Sequence, residues 1–195
     1  MTKQRCRVLV LALTLCGAVG AQSTPDAQRF TAFAVNMGNS STGHNSHLEI
    51  VIDRWSTAAD RDALAAMYGE RGTNAAFKML QAQPRIGYIR VAGRLGTDIA
   101  FARQVLHSDG TRRVVIVIAR QLSFSEVNRN APTVDYPFTL VELHLGANSD
   151  GDGKMFVGAK IKPQRGHDQI DHEEYAAGAV LLRDVKGQTS DHGAD

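Results

Sequence analysis

From Arg29 onward the chain is written in short apolar runs of period two, punctuated by Gly, Asp, Asn and Pro. That rhythm constrains the fold more than any single motif, because alternate side chains of a strand face opposite sides of a sheet. Eight runs carry it: Arg29–Val35, His47–Trp55, Arg85–Ala92, Thr97–His107, Arg112–Arg120, Pro137–Leu145, Lys154–Lys162 and Ala179–Val185. Short turns join most of them, and no strand–helix–strand repeat runs through the chain, so an antiparallel sheet is expected. About eight strands suit a barrel or a two-layer sandwich. Asp109-Gly110 lies between two apolar runs and marks a hairpin. A two-residue turn there sets Ser108 against Thr111 and Arg103 against Ile116.

One stretch breaks the period. Thr57 and Asp60 stand three apart before an alanine-rich segment, the spacing at which a threonine and an acid cap a helix reciprocally. Ala58 to Glu70 is expected to be helical. Gly72 stops it, Thr73 starts a second short helix, and Pro84 ends that one. The fold class is therefore α+β, mainly antiparallel β, with a helical pair after the second strand.

The start of the chain has a different character. Lys3, Arg5 and Arg7 precede an apolar run from Val8 to Ala21, and Val19-Gly20-Ala21 offers small residues for cleavage before Gln22. This is the three-part secretory signal, too short to span a bilayer. Residues 1–21 read as signal peptide, 22–28 as a flexible lead-in, 29–186 as a single globular domain and 187–195 as a disordered tail. The expected location is periplasmic or secreted, with no membrane span after cleavage. Both cysteines, Cys6 and Cys16, fall in the discarded segment, so disulfides, a cysteine nucleophile and a thiolate metal site are excluded from the remainder. Of 22 basic side chains, 22 less three leaves 19 against 20 acidic, and this near-neutral balance speaks against nucleic acid as a partner.

Candidate site residues fall into two groups. Arg54, Arg90, Arg103, Arg120 and Arg183 stand within predicted strands. Placed among apolar neighbours, a guanidinium must be paired, stacked or open to a wet cavity. Facing a cavity it forks onto carboxylate or phosphate. The plainer alternative is an ion pair with Asp53, Asp98 or Glu142, or a stem that lies on apolar surface with its head in water. The long connection from Leu122 to Tyr136 offers Phe124 and Tyr136 as cover for a cavity mouth.

The second group consists of metal-ligand types. His167, Asp168, Asp171 and His172 form a dense cluster suited to zinc, or else a solvated acidic loop. Asn148 to Gly153, with Asp150 and Asp152, resembles the first half of a calcium loop but lacks the bidentate Glu at its twelfth position. Those residue types also serve an ordinary hairpin turn. His44 and His47 make a looser pair. No resident cofactor is expected beyond these calcium or zinc alternatives. Nucleophile elbow, zinc-protease, phosphate-loop and dinucleotide signatures are all absent, which leans away from an enzyme.

The segments Phe30–Asn36 (FTAFAVN), Ile52–Thr57 (IDRWST) and Asp135–Leu140 (DYPFTL) together resemble a set of uncharacterised exported bacterial proteins. The resemblance implies export and a single domain from Phe30 to about Val185, and assigns no residue a role. The expectation is a non-enzymatic binding module for a small ligand, anionic if the arginines face it. The alternatives are a metal-binding protein or metal-dependent hydrolytic enzyme, and an envelope domain that binds another protein.

Overall fold

A computed structural model describes residues 27–35, 46–120, 137–163, 170–174 and 179–189. Ten strands and one helical segment follow in the order β1 (Gln28–Val35), β2 (Ser46–Ile52), α1 (Ala58–Gln81), β3 (Gly87–Val91), β4 (Thr97–Asp98), β5 (Phe101–Leu106), β6 (Arg112–Ile118), β7 (Phe138–Leu145), β8 (Asp150–Pro163), β9 (Ile170–Glu174) and β10 (Val180–Thr189). All pairings are antiparallel, and the strands form one sheet in the order β4-β3-β2-β1-β10-β8-β7-β6-β5, with β9 paired to β8. The sheet curls into a half-barrel. A single continuous sheet replaces the two-layer sandwich that the alternation left open.

The count of ten corrects the expected eight in two places. The run 97–107 is split at Ile99-Ala100, and the polar stretch after Pro163 contributes β9. The split is informative. Ile86 N–H donates to Ile99 O (3.2 Å), Ile99 N–H to Gly87 O (3.0 Å), and Ala100 N–H to Val117 O (3.1 Å). Two consecutive residues thus bond to opposite rims of the curled sheet and draw them together at one end. Strand β10 also runs to Thr189, beyond the expected start of a disordered tail at 187.

Two apolar layers result. The inner layer is lined by Phe30, Leu48, Ile50, Ile52, Ile89, Ile99, Ile116, Ile118, Val141, Leu143, Met155 and Leu182, all essentially buried, with Trp55 packed against it. A small barrel of about eight strands is just wide enough to be filled by its own side chains. The outer layer joins Phe101, Val115, Val117, Phe138, Leu140 and Phe156 to Leu64, Ala76 and Leu80 of α1.

The helix begins on the reciprocal cap: Asp60 N–H donates to Thr57 Oγ1 (3.1 Å), and Thr57 N–H to Asp60 Oδ2 (2.8 Å). Gly72 breaks it with φ 75 and ψ −172. Asp60 and Ala63 near its start share a small cleft with Met79 and Leu80 near its end, so the two halves double back at that glycine. Phe77 meets Phe138 edge-on, ring centres 5.5 Å apart.

The first hairpin turns differently from expectation. Strand β5 pairs Arg103 with Val115 and Leu106 with Arg112, one residue out of the expected register. His107 N–H donates to Thr111 O (2.9 Å) and Gly110 N–H to His107 O (3.0 Å), enclosing three residues with Gly110 at φ 83. This is the three-residue loop ending in a left-handed glycine. Thr111 N–H and its hydroxyl both donate to Asp109 Oδ1, at 2.9 and 2.7 Å. Such a slip moves cross-strand neighbours to the other face. Arg103 therefore lies beside Val115 on the outer side and not among Val114, Ile116 and Ile118.

Candidate functional site

The arginines singled out from sequence are not brought together, and the described contacts turn none of them into the inner layer. Strand β2 ends at Ile52 and β6 at Ile118, so Arg54 and Arg120 stand outside strands. Arg54 is exposed, 3.8 Å from Asp60. Arg90 pairs with Glu49 and lies over the Tyr88 ring at 5.6 Å. Arg103 Nη1 donates to Ser56 O at 3.3 Å. Arg183 is exposed on β10. Of the acids offered as partners, Asp53 pairs with Arg85 (3.7 Å) and Glu142 with Arg113 (2.7 Å). Phe124 and Tyr136 lie outside the described residues.

The metal-ligand group fares similarly. His44, His167 and Asp168 lie outside the described residues, as do the side chains of Asp171 and His172, whose backbone belongs to β9. His47 is exposed and meets Phe33 edge-on at 5.6 Å. Asp150 and Asp152 belong to β8 and not to a loop. The turn is Gly146–Ser149, and Asp150 Oδ2 accepts from Asn148 Nδ2 (3.2 Å). Among the described residues no three His, Cys, Asp or Glu side chains gather closely enough to hold a metal ion. No helix among them is long and apolar enough to cross a membrane.

Arg120 borders a groove of about 250 Å³, where the β4–β5 bend meets the end of α1. Arg85, Asp98, Thr97 and Gln81 also line it, so its charges are of both signs.

A second groove, about 570 Å³ and open to solvent, is lined by His107, Thr111, Arg112, Arg113, His144, Leu145 and Gly146. Its titratable lining residues are His107, Arg112, Arg113 and His144, with no Asp or Glu among them. The sheet register sets these residues at one end of the hairpins but on two faces: Arg113 lies beside His144 on the outer face, and Arg112 beside Leu145 on the inner one. His107 follows β5, Thr111 and the two arginines open β6, and His144 ends β7, directly opposite Arg113.

Each arginine already has partners. Arg113 Nη2 donates to Glu142 Oε1 at 2.7 Å, and Glu142 is itself buried. Arg112 donates through Nη2 to Ser149 Oγ (2.9 Å) and through Nη1 to Gln104 Oε1 (3.4 Å). A guanidinium carries five N–H donors, so these contacts fix its plane and leave donors for a ligand. Asp109 stands at the rim, and its carboxyl is held below the ordinary aspartate range, chiefly by the Thr111 hydroxyl and then by the Thr111 N–H.

The sequence reading missed this groove. Arg112-Arg113 and His107 were visible as cationic flanks of an Asp-Gly turn. His144 joins them only through the β6–β7 register, which composition does not supply.

No family model matches the chain, and neither the curated proteins nor the solved structures yield a match.

Proposed function

We propose that the protein is an exported, non-enzymatic binding module for a small anion, held at the groove between the β5–β6 and β7–β8 ends. The observation that carries this reading is that His107, Arg112, Arg113 and His144, with no Asp or Glu, are the titratable lining residues of one open groove at this end of the sheet. Guanidinium forks match carboxylate and phosphate oxygens, and an imidazole N–H adds a further donor. The apolar side chains that line the inner layer favour this end of the sheet over a cavity or groove between the sheet, the helices and the Leu122–Tyr136 connection. The cationic start and apolar run of residues 1–21 support export to the periplasm or beyond.

Calorimetric titration with inorganic phosphate, sulfate and a dicarboxylate tests the reading. Saturable binding of at least one anion is expected, with the double substitution Arg112→Gln and His144→Gln lowering its affinity about tenfold or more. Absence of saturation by any of the three up to about 10 mM, a range that reaches affinities weaker than −4.1 kcal/mol, overturns it.

A further inference from the structure

Two non-glycine residues among those described have left-handed backbone: Ser149 at φ 66 and Asp184 at φ 50. Ser149 ends the β7–β8 turn, where a glycine would be free of the roughly 1–2 kcal/mol that a Cβ costs in this region. The neighbouring backbone specifies the shape completely. Ser149 N–H donates to Gly146 O (2.9 Å), and Ser149 O accepts from Gly187 N–H (2.9 Å). Neither bond needs a side chain, so the turn alone gives no reason for a serine.

The hydroxyl supplies one. Ser149 Oγ accepts from Arg112 Nη2 at 2.9 Å, a link across 37 positions of chain between the β7–β8 turn and the start of β6. Gln104 holds the other arm of the same guanidinium from β5. A strained non-glycine residue whose side chain does one thing outside its own turn is a pointer from geometry to function. The packing beside it is tight: a Cβ at Gly187 would come within 3.2 Å of both the Ser149 Cβ and the Phe30 ring.

We infer that Ser149 is a positioning residue for the anion groove: it accepts backbone strain so that its hydroxyl aims the Arg112 guanidinium at the ligand. This rests on the reading of the groove given above, and the test separates the two. Phosphate titration and thermal unfolding are measured together on the full chain, Ser149→Gly and Ser149→Asn. Ser149→Gly is expected to leave the melting temperature unchanged or raise it, since strain is relieved, while phosphate affinity falls about fivefold or more. Ser149→Asn is expected to recover most of the affinity, because asparagine tolerates left-handed backbone and its Oδ1 accepts from Arg112.

Equal phosphate affinity in the unaltered protein and Ser149→Gly overturns the positioning role and leaves the anion reading standing. A joint fall in melting temperature and affinity in Ser149→Gly also overturns it, because the serine is then a structural support. Failure of the unaltered protein to bind phosphate, sulfate or the dicarboxylate removes both.

Discussion

The two halves of the sheet share an inner layer and differ in what lies outside it. Strands β5 to β8 are covered by α1, so β6 is buried on both faces: Val114, Ile116 and Ile118 face the inner layer, while Val115 and Val117 face the helix. Among the described residues nothing gives strands β1 to β3 such cover. There the outer face carries Arg29, Phe33, His47, Glu49, Tyr88 and Arg90. Glu49 is nonetheless only 7% exposed, because Arg29 approaches it to 2.6 Å from one side and Arg90 from the other. Arginine stems thus do on one half, thinly, what a helix does on the other. The lesson is that burial of a carboxylate need not mean a covered face.

Substitution of matched residues gives the sharpest break between the halves. Phe138→Ala, under the helix, is expected to cost about 3–5 kcal/mol in urea unfolding, from lost transfer energy and a residual cavity. Phe33→Ala, 44% exposed on the bare half, should stay within about 0.5 kcal/mol. Equal losses would mean that the β1–β3 face is covered in solution.

The buried acids separate the halves by a smaller margin. Glu142→Ala strands Arg113, whose side chain is 21% exposed, and is expected to lose about 2–3 kcal/mol. Glu49→Ala releases Arg29 and Arg90, both near half exposed, to water, and should lose less than about 1 kcal/mol. Chemical unfolding of both variants decides whether the arginine cover matters beyond packing.

The smallest effect concerns Asp109. Its folded carboxyl titrates below the unfolded one, so its contribution is fully present above the ordinary aspartate range. That contribution disappears as pH falls through the lowered value. Because the group is fully exposed, the expected signal is a slight local loosening of the 107–111 turn in acid, read by amide exchange, and Asp109→Asn should abolish its pH dependence.

Part of this fold was legible in the chain. The apolar runs Arg29–Val35 and Arg112–Arg120 announced strands, but the burial of the second on both faces came only with the helix laid over it. The Thr57–Asp60 cap was readable because it depends on spacing alone. The hairpin register was not. Asp-Gly satisfies both a two-residue and a three-residue loop, and the choice rests on the Thr111 bonds to Asp109, which only the folded turn displays. That single slip reassigned Arg103 and with it the expected inward-facing cation. The groove escaped for a related reason: four of its residues sit on three strand ends that become neighbours only after the sheet is ordered.

The order also fixes when the molecule can be finished. Strand β10 is the last described stretch of chain and the middle member of the nine-strand path, seated between β1 and β8. Without it, among the described residues, the two four-strand blades, β4 to β1 and β8 to β5, meet only at the other rim, through Ile99-Ala100 and the Ser56–Ala102 bonds, and each keeps a raw edge. The C-terminal strand is the keystone. A chain clipped before Val180 holds nearly all of its ribbons but lacks the one that joins them along their length.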